Sequence, residues 1–359
     1  MPAADEAREV RQEDAFDVAT MATWLREHAT DATGLAGTPE VRQFSGGASN
    51  LTYLLSYADR DLVLRRPPGG HKAKSAHDMR REFTIQQRLG GSFPYVPQML
   101  AFCDDEAVIG SDFYVMQRLE GVIPHKEMPA GVDLSPGQAR TLCRNVLDVL
   151  VELHQVDAEA AGLTELARGS GYVARQVKGW SDRYGKARTR NVASFGKVMT
   201  WLDANQPQDI RNCLIHNDFR LDNVVLDTAD PTKVRGVLDW EMATVGDPLM
   251  DLGGSMAYWV QADDNLLFRM FRRQPSHLPG MLSRREIVHH YCERSGLSLS
   301  DEEWAFYEVF GLFRLAAIAQ QIYYRYYNKQ TTNPRFKNLY LAVNALEWRC
   351  RTLIRKAGR

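Results

Sequence analysis

The hydrophobic period of this chain changes once, near Leu119–Gly121. Before that point apolar residues come in short runs bounded by turn formers. Val41–Phe44, Leu51–Tyr57, Leu62–Leu64 and Phe113–Met116 read as strands. Two stretches of helical character interrupt them, Phe16–His28, with Val18, Met21, Ala22 and Leu25 on one side, and Ala76–Leu89. After that point the period is that of long helices. Gln138–His154 sets Leu142, Val146, Val149, Leu150 and Leu153 on one face, and Tyr172–Tyr184 places Val173, Val177, Trp180 and Tyr184 at helical steps. Trp304–Tyr327 and Asn338–Leu353 pass the same test. A small strand-rich part followed by a large helical part predicts an α+β chain of two lobes, residues 1–119 and 120–359.

Composition removes several function classes. A formal net charge of -1 over 359 residues argues against a protein built to coat nucleic acid. No apolar run approaches the roughly 18 residues of a membrane span. The five cysteines, Cys103, Cys143, Cys213, Cys292 and Cys350, are scattered and never spaced as CxxC, so they read as reduced thiols. The polar N-terminus, Met-Pro-Ala-Ala-Asp-Glu-Ala-Arg, is no signal peptide. The expectation is a soluble, cytoplasmic protein with no nucleic-acid or membrane partner. The sequence sets no oligomeric state.

The chemistry concentrates in Leu214-Ile-His-Asn-Asp-Phe-Arg-Leu-Asp-Asn-Val-Val-Leu226, followed about 16 residues after Asn223 by Val237-Leu-Asp-Trp-Glu241. Phosphoryl transfer is catalysed chiefly by positioning and by neutralising charge on phosphate oxygens. It needs one carboxylate beside the attacking hydroxyl and hard oxygen ligands for magnesium. Asp218 and Asn223 on one loop, with Asp239 leaving a nearby strand, supply residues of those types. The runs Val224–Leu226 and Val237–Leu238 predict the hairpin that carries Asp239.

The His-x-Asp-x-x-x-x-Asn loop and the Leu-Asp-Trp strand resemble the aminoglycoside phosphotransferase and choline kinase superfamily. The stretch Leu238-Asp-Trp-Glu-Met-Ala-Thr-Val-Gly-Asp-Pro-Leu-Met-Asp-Leu-Gly253 is most similar to the kinase-like domain of acyl-CoA dehydrogenase family members and its bacterial stand-alone relatives. The resemblance covers about residues 40–330. It implies a two-lobed protein-kinase-like fold, a small β-rich N-lobe and a large helical C-lobe, using ATP and Mg2+. It implies Asp218 as the catalytic carboxylate, His216 as the brace of its loop, and Asn223 and Asp239 as metal ligands. Asp247 and Asp251 read as a helix cap and a first-turn acid. In the N-lobe it implies Ser49 and Asn50 in the turn over the phosphates, Arg65 paired with Glu82, and the backbone of Gln117 and Leu119 at the adenine edge. Two residues depart from the pattern. Arg65 stands where many relatives have lysine, and Asn217 where glycine is usual, although asparagine tolerates a left-handed backbone.

In this superfamily the helical insert and the C-terminal helices border the acceptor. Here they carry Arg175, Trp180, Tyr184 and Arg325 within strongly basic stretches, so the expected partner is a small anionic molecule rather than a cationic antibiotic. The readings left open are a small-molecule kinase, a catalytically weak ATP-binding regulatory module, and a true aminoglycoside phosphotransferase. A protein kinase is disfavoured because no Ala-Pro-Glu segment follows Asp239. An acyl-CoA dehydrogenase is rejected because no stretch is left for a flavin domain.

Overall fold

The computed structural model describes residues 7–44, 50–68 and 78–358. The short runs pair into one antiparallel sheet: β1 (Ala7–Arg8), β2 (Glu40–Phe44), β3 (Leu51–Ser56), β4 (Asp61–Arg66), β5 (Met99–Cys103) and β6 (Phe113–Gln117), in the order β1-β2-β3-β4-β6-β5. Successive strand side chains face opposite sides, so β4 serves two cores. Leu62 and Leu64 pack with Met21 and Leu25 of α1 (Val18–His28), while Val63 packs with Met79 and Phe83 of α2 (Met79–Leu89). Strand β5 gave no alternating signal because it is buried at nearly every position. A short α3 (Glu106–Ile109) precedes β6 and ends at Gly110 in the left-handed region.

The chain divides into two compact units. The first takes in the described residues up to Ile123, then Pro129–Val132 and Val224–Glu241. The second takes in Pro124–Met128, Asp133–Asn223 and the described residues from Met242 onward. The hairpin of β8 (Val224–Leu226) and β9 (Val234–Val237), assigned from sequence to the helical lobe, groups with the sheet-bearing unit. Backbone bonds explain it: Val122 and Leu226 exchange N–H···O bonds of 2.8 Å, and Val237 N–H donates to Tyr95 O at 2.7 Å. Leu119 also lies so close to Gly236 that a methyl at 236 would meet its Cδ1 at 2.2 Å.

The second unit is built from α4 (Pro136–Gln155), α5 (Tyr172–Ala187), α6 (Gly196–Ala204), α7 (Pro248–Met256), α8 (Leu266–Met270), α9 (Arg284–Ser295), α10 (Asp301–Tyr327) and α11 (Leu339–Ala357). A two-stranded ladder joins β7 (Cys213–Ile215) to β10 (Thr244–Gly246). Helices α4, α9 and α10 each begin with a serine capping box. Helix α5 instead begins under the Asp209 carboxylate, which accepts from the N–H groups of Gly171, Tyr172 and Val173. Among the described residues no helix is long and apolar enough to cross a membrane.

Helices α7 and α10 approach backbone to backbone at glycines. A methyl on Gly311 would lie 2.0 Å from Gly253 O, and one on Gly253 would lie 2.5 Å from Tyr307 O. Gly311→Ala should therefore destabilise the protein by about 2 kcal/mol, overpacking outweighing the roughly 1 kcal/mol that alanine gains in a helix. Urea unfolding followed by circular dichroism checks this. An unchanged or higher midpoint means the two helices can separate without cost.

Candidate active site

The ladder of β7 delivers His216, and the chain then turns through Asn217 in the left-handed region at φ 64°. Asparagine supports that conformation with side-chain bonds: Tyr172 donates its hydroxyl to Asn217 Oδ1 at 3.2 Å, and Asn217 Nδ2 donates to Met242 O. The loop hangs from Asp251 in the first turn of α7. One oxygen of Asp251 accepts from His216 N–H and the other from Asn217 N–H, each at 2.8 Å. Its Oδ2 also meets His154 Nε2 at 3.2 Å, and His154 Nδ1 pairs with the Tyr291 hydroxyl. Burial pushes the Asp251 carboxyl up, but the His154 bond and the histidines outweigh it and hold the group below its ordinary range. Asp247 is the cap of α7, accepting from Leu249 and Met250 N–H, as read from sequence. Asp251 was read as a first-turn acid only. Its larger role, orienting the loop, has no local sequence signal because its partners lie 34 and 35 residues away.

Within the loop Asp218 N–H donates to His216 Nδ1 at 3.2 Å, which is how the buried His216 braces it. Asn223 Nδ2 reaches back to Asp218 O at 2.8 Å and Asp218 Oδ2 at 3.2 Å. That assigns the amide nitrogen and leaves Asn223 Oδ1 as the acceptor. Gln274 Oε1 accepts from Leu221 N–H. Arg220 binds two acids, with Nη2 3.3 Å from Asp218 Oδ2 and Nε 3.2 Å from Asp222 Oδ1. Its guanidinium lies 4.5 Å from the centre of the Tyr258 ring. Burial raises the Tyr258 phenol, and the Asp218 charge raises it further. Burial likewise raises Asp222 against the pull of Arg220. Arg220, Asp222 and Tyr258 were missed, although an arginine two residues from each of two acids was visible in the motif.

In the first unit, Arg65 faces α2 and Arg66 the opposite side. Arg65 Nη1 donates to Glu82 Oε1 at 2.5 Å and Nη2 to Asp239 Oδ1 at 3.2 Å. Burial raises the Glu82 carboxyl even with Arg65 beside it. Burial alone would weaken Arg65 as a cation, but Tyr114, Glu82 and Asp239 more than offset that and it stays charged. Arg66 is buried among neutral acceptors, donating to the Tyr53 hydroxyl, Ile109 O and Asp14 O. Asp239 adopts φ 68°, and Trp240 after it is fully buried with its Nε1–H on Val237 O. The Asp239 Oδ2 atom has no partner among the described residues.

Ser49 lies outside the described residues, while Asn50 is buried at the start of β3. Gln117 N–H already donates to Gln98 O at 2.8 Å, so of the two backbone polar groups of Gln117 only its carbonyl is left for a ligand. Of the residues expected to border the acceptor, Tyr184 is a correction. It is fully buried and donates to Ala193 O at 2.6 Å, because its step in the α5 pattern is the core step. Arg175 is exposed and closes the loop before α5 by donating to Ser170 O and Gly169 O. Arg325 is exposed in the last turn of α10. Trp180 is buried, with Arg183 and Arg314 guanidinium carbons 4.5 and 5.5 Å from its ring centre.

Taken each in its own unit, Asn223 Oδ1 and Asp239 Oδ2 are hard oxygens of the kind magnesium takes. Magnesium on a nucleotide usually takes only one or two protein ligands, the rest being phosphate and water.

The family model for the phosphotransferase enzyme family matches residues 40–287. Acyl-CoA dehydrogenase family member 10 of Mus musculus is 36% identical over 294 residues, which is 82% of this chain and 27% of that protein. The chain thus spans about a quarter of that relative's length. A Ralstonia eutropha protein provisionally named an aminoglycoside phosphotransferase has a crystal structure similar at TM-score 0.80 and 28% identity, over 95% of this chain and 99% of that one. A thermostable mutant aminoglycoside phosphotransferase, crystallised as a ternary complex with AMP-PNP and hygromycin B, is similar at TM-score 0.53 and 17% identity, over 94% and 98%. These likenesses establish the two-lobed, protein-kinase-like α+β fold.

A carboxyl held below its ordinary value of 3.8 contributes stability above that pH and loses it as pH falls through the folded value. Asp251→Asn should therefore cost about 3–5 kcal/mol at pH 7, with the gap to wild type closing only below about pH 4. Urea titrations of both proteins across pH 3–8 measure it. A gap that is absent at neutral pH contradicts the role given to Asp251.

Proposed function

We propose, on the premise that the chain belongs to the phosphotransferase enzyme family, that it moves the γ-phosphoryl group of ATP, with magnesium, onto a hydroxyl of a small anionic molecule. The acceptor class is a hydroxy acid or its coenzyme A thioester. The observation that carries this reading is the tie between Asn223 Nδ2 and Asp218, inside a loop hung from Asp251. That tie fixes a carboxylate and an amide oxygen together, as the reaction requires. The neighbour crystallised with AMP-PNP supports the choice of nucleotide. The resemblance to a domain of acyl-CoA dehydrogenase family members, and the exposed cations Arg175, Lys178, Arg183 and Lys186 on α5, support the anionic acceptor.

In this reading Asp218 orients the acceptor hydroxyl and takes its proton as the oxygen bonds to the γ-phosphorus. The bond to the β,γ-bridging oxygen breaks, and ADP leaves. Arg65 supplies cationic charge to the nucleotide phosphates, held in place by Glu82. Asn223 and Asp239 would hold the metal ion. When bound, that ion neutralises negative charge on the phosphate oxygens.

Asp218→Asn should lower kcat by about 10²–10⁴-fold while ATP affinity changes by less than about twofold, because the amide can neither orient nor accept the proton. Coupled ADP assays with a panel of hydroxylated acids and thioesters, together with nucleotide titration calorimetry, read both numbers. Retained turnover in the variant removes Asp218 from the role.

A further inference from the structure

Two arginines are buried among the described residues, and they are satisfied very differently. Arg66 spreads its donors over a hydroxyl and two carbonyls. Arg314, in the middle of α10 and only 7% exposed, makes a single hydrogen bond, from Nη2 to Asn217 O at 2.6 Å. No carboxylate among the described residues lies within ion-pair distance of it, and its Nε and Nη1 donate to nothing there. Yet neither atom is among those sealed in the interior without a partner, so the guanidinium is reached from outside. An arginine this deeply placed without an acid is costly unless an anion completes it.

Its surroundings locate that anion. Asn217, whose carbonyl Arg314 holds, immediately precedes Asp218. Tyr258 feels the charges of both Asp218 and Arg314, so the cation and the proposed base share one neighbourhood. The Trp180 ring lies 5.5 Å from the Arg314 guanidinium carbon and gives an apolar wall beside it. On the α7 side the guanidinium is admitted because residue 254 is glycine: a methyl there would stand 2.7 Å from Nη1. The near contact of Gly311 with Gly253, one turn before Arg314, is what brings α10 close enough for this arrangement.

We propose that Arg314 anchors the carboxylate of the phosphoryl acceptor, so that the preferred substrate is a free hydroxy acid rather than its thioester. A guanidinium with unengaged donors matches a planar carboxylate by paired charge-assisted hydrogen bonds, whereas a thioester offers a neutral carbonyl. The inference rests on the phosphotransferase reading above and names the acceptor for that same site. The chain between carboxylate and hydroxyl would lie along Trp180 and Tyr258, which makes acceptor length a second determinant.

The test uses lactate, 3-hydroxybutyrate and 4-hydroxybutyrate, each also as the primary amide and as the coenzyme A ester, at saturating ATP. Wild type should favour one free acid over its amide. Arg314→Met should raise KM for that acid at least about tenfold more than KM for the amide, which loses only the brace on Asn217 O. Arg314→Lys, which keeps the charge and loses the fork, should fall between them, and it serves as the test should the methionine variant fail to fold. Equal losses on acid and amide would make Arg314 a brace of the loop only and overturn the proposal. Wild-type turnover of thioesters but not acids overturns it while the phosphotransferase reading stands. No turnover of any of these acceptors removes the anionic-acceptor reading and this inference with it.

Discussion

The carboxylate of Asp251, 1% exposed, takes hydrogen bonds from His154 and from the backbone N–H groups of His216 and Asn217. A carboxylate in such a place is expensive unless every lone pair is used. Here the need is met by the loop itself, so that burying the charge and shaping the loop are one event. With His216 and Asn217 fixed, the strained backbone at Asn217 is held from both sides, by Asp251 on its N–H and by Arg314 on its carbonyl. Asp218 then emerges with its N–H on His216 and its carboxylate beside Asn223 and Arg220. Helix α7 thus does more than pack: its cap Asp247 starts it, its Asp251 shapes the loop, and its glycines admit α10.

In the sheet-bearing unit a second set of charges is arranged by strand register. Because β4 alternates, Arg65 meets Glu82 of α2 and Asp239 after β9, while Arg66 is spent on the core beside Phe16 and Tyr53. A one-residue slip would exchange them and strand a cation on the wrong face. The buried Glu82 keeps Arg65 from wandering, and Arg65 in turn neutralises one oxygen of Asp239. The charges of Arg65, Glu82 and Asp239 are thus already paired within this unit, with no rearrangement needed to bring them together.

Much of this was legible in the residues. The long helices α4, α5, α10 and α11 and strands β2, β3, β4 and β6 follow from periodicity, and the loop motif identified the family. What was illegible shares a physical cause. Strand β5 lacks alternation because it is buried at nearly every position. The bonds that tie the hairpin of β8 and β9 to Val122 and Tyr95 join residues distant in sequence. Tyr184 was offered to a ligand although its helical step equals that of Val173 and Val177, and the periodic argument already assigned it to the core. Asp251, Tyr258 and Arg314 act through contacts that no local pattern encodes.

The reaction proposed for this loop is transfer of a phosphoryl group to a hydroxyl of a small molecule. Phosphorus NMR of one reaction, protein with ATP, magnesium and a hydroxy acid, reads it directly. The expected result is a new phosphate-monoester resonance, split by the proton on the acceptor carbon, growing in equal amount with ADP and failing to grow when magnesium is chelated. ADP accompanied only by inorganic phosphate, or unchanged ATP across all hydroxylated acceptors, would contradict it.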